Sequence, residues 1–193
     1  MKKKITLFLS FILVSVSVMA QTAWKADPYH SKIGFTVTHL GIADVPGHFN
    51  SYDVTITSSK PDFSDAVVEM TADIASIDTR VEPRNKHLKS ADFFDAEKYP
   101  TMSFKSTSIK KSGKNKYALS GNLTMHGVTK PVTVTMLYRG TTANPNAKGA
   151  PVAGIQITGT IKRSDFNIGS TFPAPMISDE VQIKADGEFG QQK

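Results

Sequence analysis

A strict two-residue alternation of apolar and polar side chains runs through most of this chain and restricts it to sheet structure. Ile33, Phe35 and Val37 share one face of a segment, as do Val68, Met70, Ala72 and Ile74. Leu119, Leu123 and Met125 keep the same step, followed by Val132, Val134, Met136 and Tyr138, and then Val181, Ile183 and Ala185. Successive side chains of a strand point to opposite faces, so each segment is a strand with one apolar and one wetted face. Strands are expected at about 31–40, 47–57, 66–77, 101–109, 115–126, 131–140, 152–164 and 180–189. Turn chemistry marks the breaks: Asp44-Val45-Pro46-Gly47, Ser58-Ser59-Lys60-Pro61-Asp62, Ser112-Gly113-Lys114-Asn115, and Gly127-Val128-Thr129-Lys130 before Pro131. Such short connections favour antiparallel neighbours. The fold class is therefore all-β, and eight antiparallel strands can close into a barrel without free edges.

Two interruptions are too long to be turns. Residues 78–100 hold Pro83 followed by Arg84-Asn85-Lys86-His87-Leu88, which predicts a short helical excursion around residues 83–97 with Pro in its first turn. Ser90 is placed to cap a further turn into Phe93 and Phe94, and Pro100 forces the chain extended. The excursion is either a plug or lid over an open sheet end or a plain covering helix. Residues 165–179 place Phe166, Ile168, Phe172, Met176 and Ile177 among Gly, Ser and Pro. An apolar loop must bury itself, by folding over the sheet or by bordering a ligand entrance. Residues 140–151, rich in Gly, Asn, Ala and Pro, read as a flexible solvent-side loop.

The first twenty residues stand apart. Lys2, Lys3 and Lys4 precede an apolar stretch from Leu7 to Val18, and Met19-Ala20-Gln21 offers a small residue before a cut. This is the pattern of a cleaved secretory signal, leaving residues 21–193 as a single domain in the periplasm. Removing Lys2, Lys3 and Lys4 takes the formal net charge from +6 to +3. A small charge on an exported β protein points away from nucleic acid. The chain has no cysteine, which excludes disulfides, zinc–thiolate sites and iron–sulfur clusters.

An eight-stranded barrel is filled by its own side chains or holds one small ligand. Inward positions here are often small (Ala72, Gly121, Ala153, Gly159, Ala185) or flexible (Met70, Met102, Met125, Met136). Either outcome is compatible with that set. His39 continues the Ile33–Phe35–Val37 face, so it is either a core histidine satisfied by protein groups or a contact for a ligand head group. His30, His39 and His48 recur every nine residues, but an odd step changes face along one strand and no HExxH spacing is present, so no metal site is expected. Neither a Gly-x-Ser-x-Gly elbow nor a phosphate loop nor a dinucleotide fingerprint occurs, and no catalytic residue is expected; His126 is the best-placed base, without a nucleophile. Arg163 can pair with Asp165 or Asp92, or meet a polar ligand head. Lys110, Lys111, Lys114 and Lys116 form either a solvated hairpin tip or a patch that steers the protein toward anionic lipid.

Read in order, several blocks resemble the YceI-like family of bacterial periplasmic proteins. They are Trp24-Lys25-Ala26-Asp27 with His30-Ser31, Phe35-Thr36-Val37-Thr38-His39, Gly47-His48-Phe49 and Ser76-Ile77-Asp78-Thr79. Arg84-Asn85-Lys86-His87-Leu88, Asp92-Phe93-Phe94-Asp95 and Tyr99-Pro100 follow, with Leu123-Thr124-Met125-His126-Gly127-Val128-Thr129 and Arg163-Ser164-Asp165-Phe166. The resemblance implies a lipocalin-like eight-stranded barrel around a long apolar ligand, a polyisoprenoid or isoprenoid-quinone-like chain, with fatty acids and their amides also bound in the family. Asn85 stands where the family tends to have Asp, which removes an ion-pair or acid role there. Asn167 stands where it tends to have Gly, and Asn tolerates the left-handed backbone such a turn needs. The expected ligand wall is Phe35, Val37, Met70, Phe93, Phe94, Phe104, Met125 and Phe166, with His39, His87 and Arg163 as polar contacts at the mouth. No cofactor is expected beyond the lipid. The partners expected are that lipid and, in passing, a membrane surface, and a homodimer stays open. The alternative is a packed β-barrel that works through its surface as an envelope stress or interaction module.

Overall fold

The computed structural model describes residues 21–192, so the expected export signal, residues 1–20, lies outside the described residues. Eleven strand segments and one helix follow in order: β1 (Thr22–Ala26), β2 (Lys32–His39), β3 (Ala43–Phe49), β4 (Tyr52–Ser58), β5 (Val67–Asp73), β6 (Ile77–Asp78), α1 (Glu82–Lys89), β7 (Thr101–Gly113), β8 (Lys116–Met125), β9 (Val128–Asn144), β10 (Ala150–Lys162) and β11 (Glu180–Gln191). Three pairs of segments, β1 with β2, β3 with β4 and β5 with β6, are single strands bent by a short break, which leaves eight strands. All neighbours are antiparallel, in the order β1-β4-β5-β7-β8-β9-β10-β11, and β11 returns to β1 to close the barrel. Beyond the bends, β11 continues onto β2, β2 onto β3, and β3 onto β6. The expected closed eight-stranded barrel with one short helix is the observed fold.

The alternating faces set the interior. Two apolar clusters divide it. At one end Trp24, Ile56, Phe63, Tyr117, Leu119, Met136, Ile155 and Phe189 are buried together. Here the loop between β4 and β5 folds inward, and Phe63 is 1% exposed with its ring 5.3 Å from Trp24 and 4.9 Å from Tyr138. Phe63 takes the left-handed conformation (φ 59°), which a bulky side chain adopts only when its surroundings hold it there. Two turns, closed by the Phe63 amide on the Lys60 carbonyl and the Ala66 amide on the Phe63 carbonyl, supply that hold. This stopper closes one end of the barrel. The other end gathers Ile33, Phe49, Ala72, Ile74, Met102, Met125, Phe93, Phe166 and Ile168, with α1 and the 163–179 segment lying against it.

Several boundaries differ from the sequence reading. β1 was not anticipated because only Trp24 among its five residues is buried. Asp44-Val45-Pro46-Gly47 is strand rather than turn, and the reversal falls at Leu40-Gly41, both with positive φ. Pro46 is tolerated there because β3 meets β6 only through His48 and Phe49, so its other edge at 43–47 is unpaired and needs no amide donor. Gly47 serves packing: a Cβ on it would lie 2.3 Å from the Phe35 ring. Residues 140–151 are not a flexible loop, since β9 and β10 stay paired out to Asn144 and Ala150. The Gly127-Val128-Thr129-Lys130 turn contracts to His126-Gly127, and β9 begins at Val128. The helix expected behind Pro83 is α1, which ends at Lys89, and the turn expected from Ser90 into Phe93 and Phe94 follows it, closed by the Phe93 amide on the Ser90 carbonyl.

Candidate functional site

A cavity of about 380 Å³ occupies the end of the barrel opposite Phe63. Its wall comes from positions of β2, β3, β5, β7, β8, β10 and β11, and its roof from α1, the 90–97 turn and the 163–179 segment. A second cavity of about 110 Å³ lies deeper, lined by Ile56, Val68, Phe104, Leu119, Val134 and Ile155 among others. Ile33, Met70, Leu123 and Ile183 line both, so these four side chains lie between the two spaces. The space exists because inward positions alternate large with small. Opposite Phe104 on the neighbouring strand stands Leu123, and two residues along is Gly121, whose missing side chain admits the Phe104 ring.

Of the residues singled out in the sequence, Phe35, Val37, His39, Met70, His87, Phe93, Phe94, Met125 and Arg163 line the larger cavity. Phe104 lines the smaller one, and Met70 both. Phe166 lines neither. It is 1% exposed within the core, because the 3-10 turn over Arg163–Phe166 carries its ring inward before Asn167 turns the chain away at φ 57°. Asn167 thus makes the left-handed turn that glycine would otherwise supply.

Arg163 is not a free cation. Its Nε donates to the Ser178 carbonyl at 3.1 Å, Nη1 to those of Ile168 and Gly169 at 3.0 and 2.6 Å, and Nη2 to those of Phe172 and Ile177. A guanidinium has five N–H donors, and all five are committed to backbone carbonyls. Neither Asp165 nor Asp92 is its partner; Arg163 ties the 163–179 segment together. Its role as a contact for a ligand head is corrected on that ground.

His87 sits on α1 with Nε2 3.0 Å from Asp92 Oδ2, and its ring meets Phe93 and Phe172 edge-on at 4.9 and 5.5 Å. His39 stands on the exposed rim of the cavity, beside the bridge that joins it to Ile177. His48 is opposite Gly34, whereas His39 is opposite Ala43, so the two histidines sit apart along the hairpin. Asp27, His30 and Glu188 do converge, with ligand atoms within 4.8 Å of one another, but on the outer surface where β1 bends into β2. Asp27 holds the His30 imidazole pKa above its ordinary value, with Glu188 adding to it. His126 braces the lower rim: its Nδ1 is 3.0 Å from the Phe166 carbonyl and its ring packs edge-on against Tyr99.

Sequence reasoning missed Arg84, Thr79, Phe49, Met102 and Leu88 as cavity residues. One signal was available, since Arg84, His87 and Leu88 follow helical spacing and so share a face of α1. Arg84 donates from Nε to Thr79 Oγ1 and from Nη2 to the Thr79 carbonyl, both at 2.8 Å.

The fold and this cavity define a β-barrel binding protein with an apolar interior and a small polar mouth. The YceI-like domain model matches residues 24–189, and the chain belongs to that family. Protein YceI of Salmonella arizonae is 36% identical over 197 residues, covering all of both chains. Among solved structures, BcnA of Burkholderia cenocepacia superposes with a TM-score of 0.73 at 29% identity, over 87% of this chain and 99% of its own. A polyisoprenoid binding domain from Saccharophagus degradans shares the fold, with a TM-score of 0.64 at 14% identity over 90% and 99% of the two chains.

Proposed function

We propose that this protein is a periplasmic carrier or sequestering protein that holds a long apolar lipid, of the polyisoprenoid or isoprenoid-quinone type, inside the barrel. One observation carries the reading: the interior holds an apolar space of about 380 Å³ and, across the shared side chains Ile33, Met70, Leu123 and Ile183, a further one of about 110 Å³. A barrel that worked only through its surface would fill that space with side chains. Apolar area removed from water contributes ~25 cal/mol per Å², so a long hydrocarbon chain gains affinity from enclosure without special contacts. The polyisoprenoid-binding domain of the same fold supports this class of ligand.

Function as a binder rather than a catalyst fits the placement of the polar groups. His126 faces a carbonyl, His87 an aspartate, and Arg163 five carbonyls, so these three groups are engaged in holding the rim together. Transient contact with a membrane fits the mouth end, where Leu40 and Ile42 at the β2–β3 tip are 56% and 85% exposed. The lysine cluster at 110–116 sits instead beside Tyr117, at the stoppered end.

Native mass spectrometry of the protein purified from its own envelope tests the proposal. One long-chain lipid per chain is the expected result. A protein recovered empty, and still empty after incubation with polyprenyl lipids, overturns it.

A further inference from the structure

Two arginines reach the cavity, and their hydrogen bonds set them apart. Arg163 has spent every donor on carbonyls. Arg84 has spent two, both on Thr79. Among the described residues its Nη1 has no protein acceptor, and no carboxylate lies within 4 Å of its guanidinium. Every fully buried side-chain nitrogen or oxygen among those residues does have a partner, so Nη1 is not fully buried, and Arg84 is part of the cavity lining.

The position of this arginine is built. Thr79 and Asn85 are 5% and 6% exposed. The Thr79 amide and hydroxyl both donate to Asn85 Oδ1, at 2.8 and 2.7 Å, and Asn85 Nδ2 donates to Asp78 Oδ1 at 3.1 Å. The chain Asp78–Asn85–Thr79 therefore grips the Nε edge of Arg84 and leaves the Nη1 edge unoccupied. An aspartate in place of Asn85 could not donate to Asp78 and would confront it with like charge, so asparagine is what lets this relay form. Neighbouring carboxylates do not neutralise the cation: Asp92 is paired with His87, at 3.0 Å.

We infer that Arg84 is the head-group receptor of the cavity, and that the ligand is a long apolar chain ending in an anionic oxygen group, a phosphate or a carboxylate. The inference rests on the lipid-binding reading above. A guanidinium is charged at every physiological pH, and a charge beside an apolar cavity is costly until it is paired. Anionic oxygens match its N–H fork and form the shorter, stronger hydrogen bonds of charged pairs. A neutral alcohol or quinone carbonyl can accept hydrogen bonds but leaves the charge unanswered.

The test compares three probes of equal carbon count on the full protein by calorimetry: geranylgeraniol, its monophosphate, and a twenty-carbon fatty acid. An anionic head is expected to bind about ten- to a hundred-fold more tightly than the alcohol, the range of one charge-assisted hydrogen-bonded contact. Gain with the monophosphate alone identifies a phosphate site, gain with the fatty acid alone a carboxylate site, and gain with both a general anion site. Arg84→Gln should erase the gain and leave the alcohol unchanged, and Arg84→Lys should restore part of it. Where Arg84→Gln fails to fold, the wild-type comparison and the Lys variant decide. Alcohol bound as tightly as both anions, or a gain that persists in folded Arg84→Gln, overturns the head-group inference while leaving lipid binding intact. Binding of none of the three overturns both.

Discussion

Phe93 and Phe172 stack with ring centroids 4.8 Å apart and 19° between their planes. They come from the two long interruptions of the sheet, one after β6 and the other after β10. His87 packs edge-on against both rings. The roof of the cavity is thus one joined rim, in which α1, the Phe93 turn and the 163–179 segment share a single aromatic contact.

Phe172→Ala should separate the two halves of that rim. Phe172 is only partly buried, so the cost to folding should stay near 1–2 kcal/mol, below the 3–5 kcal/mol of a fully buried phenylalanine. Hydrogen exchange should quicken in residues 90–97 and 168–177 together. Faster exchange in only one of the two segments would show that they are independent.

Phe94 lines the cavity and meets Phe49 edge-on at 6.3 Å. Phe94→Asp places a carboxylate on the apolar wall, and lipid retention should fall more than ten-fold while the thermal transition persists. A folded variant that copurifies with as much lipid as the wild type would remove Phe94 from the binding wall.

Arg163→Met removes all five donors from the 163–179 segment and takes the protein donor from the Ser178, Ile168, Phe172 and Ile177 carbonyls, while the Gly169 carbonyl keeps the Phe172 amide. Each unsatisfied buried group costs about 1–3 kcal/mol, so urea unfolding should show a loss of at least ~3 kcal/mol. Substitution by Lys should recover little, because one ammonium cannot span the same carbonyls. A loss under 1 kcal/mol would mean that water replaces the guanidinium.

A Cβ at Gly121 would lie 2.4 Å from the Phe104 ring and 2.6 Å from the Lys105 carbonyl. The ring can swing into the deeper cavity; the carbonyl is fixed in the sheet. Gly121→Ala should therefore cost about 1–3 kcal/mol and shorten the longest prenyl chain retained. An unchanged chain-length profile would place the ligand's tail elsewhere.

Burial pushes the Asp65 carboxyl up, but the Ser58 and Ser59 hydroxyls and the Ser59 and Lys60 amides more than offset it and hold the pKa at about 2. The folded value lies below the unfolded one, so this stabilisation is complete above about pH 4 and fades as the pH falls toward 2. Stability measured from pH 5 down to pH 2 should decline less steeply in Asp65→Asn than in the wild type. Parallel curves would show that the carboxylate contributes nothing to acid sensitivity.

The barrel was legible because its signal is local: each two-residue alternation fixes a strand and its inner face, and Ile33, Met70, Leu123 and Ile183 are found where that period puts them. Cavity residues on the strands followed from the same rule. Contacts made between distant segments were not legible. Phe166 and Phe172 lie in one apolar loop with similar flanks, and only the 3-10 turn at Arg163 decides that one ring enters the core and the other roofs the cavity. Arg163 and Arg84 carry the same group, and nothing local says that one would exhaust its donors on carbonyls while the other kept some. Pro46 misled for a physical reason, since an unpaired strand edge accepts proline as readily as a turn does.

Because Phe63 stoppers the far end of the barrel, the cavity has a direction. A chain that slides in tail first must come out head first, through the rim where it entered. Loading and unloading are then the same path run in opposite senses, and whatever receives the lipid meets its polar end before any of its hydrocarbon.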